Sequence, residues 1–159
     1  MSFRRKLRTF MSHSRQQRGL IAEAMLLTWL ARLAVRLIPF SWIVRWIEHK
    51  ASSHQSAKIP EPVLIYSLRR AVKTASRNAL WKSVCMQQSL AMYSMLSRRG
   101  YGSTLRMGAK INPEGKIEAH AWLESDGQII LGEDGMAGMT PLARFGEMQS
   151  RADRPNPIG

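Results

Sequence analysis

The chain has very little cysteine, since Cys85 is the only one in 159 residues. A single cysteine excludes an internal disulfide framework and is typical of a reducing, cytoplasmic setting. Acidic residues are also scarce, with 11 Asp and Glu against 24 Lys and Arg, so the formal net charge is +13. This charge predicts an acidic partner, which could be nucleic acid, an anionic membrane face, or an acidic protein or peptide.

Long apolar runs are missing as well. The most apolar stretch, residues 19–47, contains four charged residues and a proline at position 39. Each charged side chain costs about 2.5–3.5 kcal/mol at the centre of a bilayer, so we expect no transmembrane segment. Metal ligands are equally sparse, because the other histidines are the scattered His13, His49 and His54. We therefore expect no metal and no other cofactor.

What the chain does have is enough apolar sequence, 45%, for the core of one domain. Residues 1–58 form a basic region, in which helical periodicity predicts a long helix over Leu20–Ile38 and a short one around Trp42–Ile47. The simplest interpretation is that these helices pack on the rest of the domain; docking of a partner protein or peptide is the next. We place the core domain at 59–148 and a disordered tail at 149–159.

Within the core domain, the apolar period changes from helical to alternating. The pattern predicts helices over Pro62–Arg77 and from Ser83 to Gly100, then strands over Ser103–Ile111, Ile117–Glu124 and Gln128–Leu131. Asp126-Gly127 is a strong signal for a two-residue hairpin turn, and residues 141–145 are interpreted as a short turn. The fold class is therefore α+β, with helices packed on a small, mostly antiparallel sheet.

Cys85 lies at the predicted start of the second core helix, behind the potential capping hydroxyl of Ser83. Free N–H groups and the positive end of the helix dipole favour a thiolate there, and the same groups could stabilise an oxyanion. Cys85 is thus a candidate nucleophile. The competing interpretation is that a lone cysteine is a small core residue without chemistry.

A histidine and an acid are needed as partners, and His120 lies in the middle of a predicted strand. If Asp126 and Gly127 are the central turn residues, counting along the hairpin places Glu133 opposite His120. Asp134 falls one step off, on the other face, unless a bulge intervenes. Asp126 itself would lie about 20 Å from His120 and is discarded.

The candidate catalytic residues are therefore Cys85, His120 and Glu133. In this order the thiolate attacks a carbonyl, the imidazole moves the proton, and the carboxylate fixes the ring tautomer. His120 could alternatively be an ordinary surface histidine.

Two motifs resemble a known family: Cys-Met-Gln-Gln-Ser-Leu-Ala beginning at Cys85, and Ala-His-Ala-Trp-Leu-Glu around His120, followed by Asp126-Gly127. Over residues 60–144 the chain resembles the transglutaminase-like cysteine peptidase domain of lasso-peptide maturation, the B protein. The resemblance implies a transglutaminase/papain-like core in which Cys85 is the nucleophile and His120 the base. It also implies removal of the leader from a ribosomally made precursor peptide.

No winged-helix leader-recognition module is evident before residue 50, so the resemblance is to the split, B2 type. The implied partners are the precursor peptide, a separate leader-binding B1 protein and a macrolactam cyclase, without nucleic acid. The family's acid is usually an aspartate, whereas this chain offers both Glu133 and Asp134. Three alternatives remain open: acyl transfer to an amine with the same triad, a basic nucleic-acid-binding protein, and an adaptor that lost catalysis.

Overall fold

The structure, a computed structural model, describes residues 15–53, 58–78 and 85–146. Helices precede strands along the chain, and the predicted α+β class is confirmed. The elements are α1 (Arg15–Leu37), α2 (Phe40–Ser53), α3 (Pro62–Asn78), α4 (Cys85–Ser97), β1 (Thr104–Ile111), β2 (Ile117–Ser125), β3 (Gln128–Leu131), a 3₁₀ turn (Glu133–Gly135) and β4 (Thr140–Phe145). The predicted cap Ser83, the first 14 residues and the predicted tail at 149–159 lie outside the described residues.

Helix α1 turns one face inward, because its buried residues Ile21, Ala24, Thr28 and Ala31 recur every three or four positions. It packs chiefly against α3 and α4. Pro39 cannot continue the helix, and the chain restarts as α2, where the N–H of Trp42 donates to the carbonyl of Pro39 at 2.9 Å. The proposed boundary at residue 58 stays a prediction.

Helix α4 is the centre of the fold. It is buried on most sides, by α1, α3, β1 and β2, so its core positions do not form a single stripe. Met92, Met95 and Leu96 are fully buried. The hydroxyl of Tyr93 donates to the carbonyl of Ile47 at 3.0 Å and so fastens α2 to α4. Burial, together with the charge of Glu48, raises the pKa of Tyr93 to about 12.

The sheet has four antiparallel strands in the order β3-β2-β1-β4. The interpretation of residues 141–145 as a turn is wrong, since Thr140–Phe145 pairs with β1 as an edge strand. Pro141 is tolerated because it lies on that edge, and a register shift between Met107 and Gly108 interrupts the pairing. A Cβ at Gly108 would lie 2.8 Å from the carbonyl oxygen of Thr140. Because of the proline and the irregular pairing, this strand was not recognised from the alternation of apolar and polar residues.

The β2–β3 hairpin turns at Asp126 and Gly127, as predicted, and both have positive φ, 50° and 74°. Pairing begins as predicted, with Glu124 opposite Ile129, but a bulge then places Leu123 opposite Leu131. The extrapolated pairing of His120 with Glu133 is therefore wrong. The bulge gives β3 one residue more than the facing part of β2. The strand ends at Leu131, so residue 133 lies in the 3₁₀ turn.

The outer surfaces of α1 and α2 carry many exposed apolar side chains, among them Trp29 and Trp42 at 46% and 62% exposure. Between the two helices is an apolar groove of about 380 Å³. We call it the α1–α2 groove; it is lined by Leu27, Leu30, Ala31, Ala34, Ile38, Trp42, Ile43, Trp46, Leu90 and Ser94. Among the described residues, no helix combines the length and apolar character that crossing a bilayer requires.

An ion pair ties α1 to the end of α4, because the guanidinium of Arg99 donates to both carboxylate oxygens of Glu23, at 3.0 and 2.6 Å. The hydrogen bonds from Arg99 hold the pKa of Glu23 below its ordinary value of 4.5. A carboxyl whose pKa is lower in the folded state stabilises that state above its unfolded pKa, and the contribution is lost as the pH falls.

We expect Glu23→Gln to lower the free energy of unfolding by about 1–2 kcal/mol at neutral pH, because a two-pronged charged pair is lost. The difference from wild type should shrink as the pH falls below about 4. Urea denaturation across a pH series measures it. Glu114→Gln is the control, because the Glu114–Lys116 pair is exposed and should contribute less than about 0.5 kcal/mol. Equal effects of the two variants would contradict the prediction.

Candidate active site

Cys85 is the first residue of α4 and is half-buried at the margin of the core. Its Sγ accepts a hydrogen bond from the backbone N–H of Ala121 at 3.4 Å. One turn later, the hydroxyl of Ser89 lies 3.4 Å from the carbonyl oxygen of Ala121, to which it donates. The start of α4 is thus joined to β2 at the residue directly after His120.

The imidazole of His120 is held by a backbone carbonyl, since its Nε2 lies 2.7 Å from the oxygen of Gly132. A carbonyl oxygen can only accept, so the contact assigns a proton to Nε2. In the neutral ring Nδ1 then carries the lone pair and is the nitrogen that can take a proton. The ring lies nearly parallel to the buried indole of Trp122, at 17° and 6.4 Å between centroids.

Two glycines let the chain after β3 approach the imidazole. Gly132 has a φ of 97°, and a Cβ there would lie 2.8 Å from the Cβ of Trp122. A Cβ at Gly135 would lie only 2.3 Å from the Cε1 atom of His120. The backbone at Gly135 therefore covers the ring at a distance that no side chain permits.

One cavity contains both candidate reactive groups. Its volume is about 230 Å³, and the described residues that line it come from α3, α4, β2, β3 and the turn beyond. They are Lys73, Cys85, Gln88, Ser89, His120, Ala121, Leu131, Gly132 and Asp134. The structure therefore brings Cys85 and His120 together, as the sequence predicted.

The two candidate acids occupy different places. Glu133 forms an ion pair with Arg69 on α3, and Lys73 lies 3.9 Å from the same carboxylate. Asp134 lines the cavity and accepts a hydrogen bond from Nζ of Lys73 at 2.9 Å. That hydrogen bond lowers the pKa of Asp134, and the charges of Lys73, Arg69 and His120 add to the effect.

Glu133 was chosen from the register that the bulge displaces, so its role as triad acid stays a prediction without that support. The other Glu133 oxygen, Oε2, is buried without a hydrogen-bond partner among the described residues. Across residues 15–53, 58–78 and 85–146, no three His, Cys, Asp or Glu side chains converge as a metal site.

Two features of the site were not predicted from the sequence: the contact of the Gly132 carbonyl with His120, and the position of Lys73 at the cavity. A backbone acceptor has no side-chain signature, although the glycines flanking Glu133 and Asp134 indicated a close approach. Lys73 belongs to the basic edge of α3, and only the tertiary packing shows that it reaches the cavity.

A family model described as the transglutaminase-like superfamily matches residues 27–144. The chain belongs to the transglutaminase-like superfamily. Its members are generally enzymes of the cysteine-protease or acyltransferase type, and in this chain Cys85 and His120 line one cavity. No curated protein and no solved structure matches the chain. The match begins inside α1, so the domain that it identifies includes α2 and about half of α1.

In this transglutaminase-like domain we expect Gly135→Ala to move the imidazole, because the new Cβ would overlap the ring. The rate of any thiol reaction that depends on His120 should then fall by roughly 100-fold. The free energy of unfolding should fall by about 1–3 kcal/mol. The rate of Cys85 alkylation by iodoacetamide and a urea melt measure the two effects.

Gly115→Ala is the control. Gly115, unlike Gly135, has a positive φ of 75°, so its substitution strains the backbone, but its added Cβ would meet nothing within 4 Å. If a general loss of stability governed the alkylation rate, both variants would slow alkylation in proportion to their loss of stability. That outcome would contradict a role for Gly135 in seating His120.

Proposed function

We propose that the protein is a cysteine peptidase that removes the leader from a ribosomally made lasso precursor peptide. It would act with a separate leader-binding B1 protein and a macrolactam cyclase. The observation that carries the proposal is the shared cavity of Cys85 and His120, in a chain of the transglutaminase-like superfamily. The motifs around these two residues, which resemble the lasso-peptide B protein, support the finer assignment.

In the first half-reaction, Nδ1 of His120 takes the proton of the Cys85 thiol, and the thiolate sulfur attacks the carbonyl carbon of the scissile peptide bond. Free N–H groups at the start of α4 are the expected donors to the resulting oxyanion. The tetrahedral intermediate collapses with cleavage of the C–N bond, and the imidazolium gives its proton to the leaving amine. The products are a thioester on Cys85 and the free amino terminus of the core peptide.

In the second half-reaction, Nδ1 takes a proton from water, and the hydroxide oxygen attacks the thioester. The C–S bond breaks, the leader leaves with a carboxyl terminus, and the sulfur recovers its proton from the imidazolium. Throughout the cycle the Gly132 carbonyl holds the ring through Nε2.

A neutral carbonyl fixes the tautomer but brings no full negative charge to the imidazolium. We assign that electrostatic role to Asp134, which lines the cavity and whose pKa is lowered chiefly by Lys73 and to a smaller extent by His120. Glu133, paired with Arg69, is the alternative acid.

The test is incubation with a candidate precursor peptide and leader-binding protein encoded beside this gene, followed by mass spectrometry. Hydrolysis should give two fragments, and Cys85→Ala or His120→Ala should each reduce the rate by at least about 1,000-fold. Both variants should keep the fold by circular dichroism. If the acyl group passes instead to an added amine, the products will be crosslinked and the protein an acyltransferase. Unchanged cleavage by Cys85→Ala would contradict both enzymatic proposals.

The two acids can be separated by matched amide substitutions. We expect Asp134→Asn to lower kcat by about 10–100-fold, because the imidazolium loses its nearby negative charge. Glu133→Gln should lower kcat by less than about threefold, because it weakens only the contacts with Arg69 and Lys73. The reverse order of effects would assign the acid to Glu133.

The α1–α2 groove is the docking surface that we propose for the leader-binding B1 protein. Its apolar lining and the half-exposed tryptophans at its rim suit an apolar face of a partner. The guanidinium of Arg45 stacks over the Trp42 ring at 5.3 Å and places a positive charge at this rim.

We expect Leu30→Glu to weaken binding of the leader-binding protein by at least about 10-fold, because a charge would enter the apolar contact. Titration calorimetry measures the affinity. Ile117→Glu is the control, since Ile117 is also apolar and is exposed, at 78% against 44% for Leu30, but lies at the start of β2. Equal loss of binding in both variants would argue against this groove as the docking surface.

A further inference from the structure

A second concave surface runs along α3 beside the active site. Its volume is about 540 Å³. We call it the basic groove; its described lining consists of Tyr66, Arg69, Arg70, Lys73, Thr74, Arg77 and Asn78. These positions recur at intervals of one and three or four residues, so they form one face of the helix. Four of them are cationic, and none of them is acidic.

Lys73 connects the basic groove to the catalytic cavity, because it lines both. Arg69 and Lys73 are committed to Glu133 and Asp134. Arg70 and Arg77 are exposed and, among the described residues, form no ion pair within 4.0 Å of a carboxylate. Beyond Lys73 the groove thus offers positive charge that the described part of the protein does not neutralise.

The dimensions suit an extended peptide. From Tyr66 to Asn78 the helix advances about 18 Å at roughly 1.5 Å per residue. That distance equals about five residues of an extended chain. Tyr66, at one end of the groove, is 65% exposed and offers an aromatic ring to such a chain.

We propose that the basic groove binds acidic side chains of the substrate peptide next to the scissile bond, through Arg70 and Arg77. The inference rests on the proposed function, because it takes Cys85 as the nucleophile. An acidic peptide is favoured over a nucleic acid because the groove shares Lys73 with a cavity that contains a thiol and an imidazole, and Tyr66 is the only aromatic residue of its described lining.

The single cysteine allows a direct test. Two peptides are prepared with an amino-terminal iodoacetyl group, one with three glutamates alternating with glycine and one with three glutamines in their place. The Cys85 sulfur displaces iodide and forms a C–S bond, the thiol proton passes to the imidazole of His120, and intact-mass spectrometry follows the rate for each peptide.

We expect the acidic peptide to react about 10-fold faster than the neutral one, and the ratio to approach one in about 0.5 M NaCl. Arg70→Gln combined with Arg77→Gln should reduce the ratio to about two or less. Arg36→Gln combined with Arg45→Gln removes the same charge from α1 and α2 and should keep the ratio.

A ratio near one in the wild type, or equal ratios in both double variants, would overturn the proposal. So would a ratio that survives in the Arg70 and Arg77 variant while binding of a fluorescein-labelled single-stranded oligonucleotide is lost, since the groove would then be a nucleic-acid site. The failure of the proposed function looks different. In that case the neutral peptide would label His120→Ala as fast as the wild type, whatever the charge ratio.

Discussion

The packing of α4 against β2 is the constraint on which the rest of the structure depends. Met92 and Leu96 on the helix and Leu123 on the strand are fully buried, so the two elements cannot slide without opening the core. At the end of this interface the N–H of Ala121 donates to Sγ of Cys85. The distance between Cys85 and His120 is therefore set by the hydrophobic core, and the hydrogen bond marks where that core ends.

The chain after β3 completes the site by a different means. A bulge and a left-handed Gly132 turn a carbonyl toward His120, and Gly135 lies against the ring. The orientation of the imidazole is thus fixed by backbone, which cannot titrate and tolerates no side chain at two positions. Orientation and charge thus come from different groups. The acceptor that orients the ring is neutral, and the negative charge at the cavity comes from Asp134.

Much of this arrangement could be predicted from the sequence, because local rules decide it. Helical periodicity predicted α1 and α3, and Asp126-Gly127 predicted the hairpin with its two positive φ values. The placement of the acidic residues relative to His120 could not be predicted. A bulge costs one residue of register and leaves no mark in the alternation of a four-residue strand, so counting past Glu124 went wrong. The strand that contains Pro141 was hidden by the same kind of irregularity.

The pairing of His120 with Cys85 can be tested most directly by long-range ¹H–¹⁵N NMR on protein labelled at its histidines. The spectrum reports the protonation and the environment of the His120 ring. His120→Gln assigns the signal among the four histidines. We expect the ring to carry a proton on Nε2 and its Nδ1 resonance to shift when Cys85 is alkylated with iodoacetamide. A ring protonated at Nδ1, or a spectrum that alkylation leaves unchanged, would contradict the pairing of His120 with Cys85.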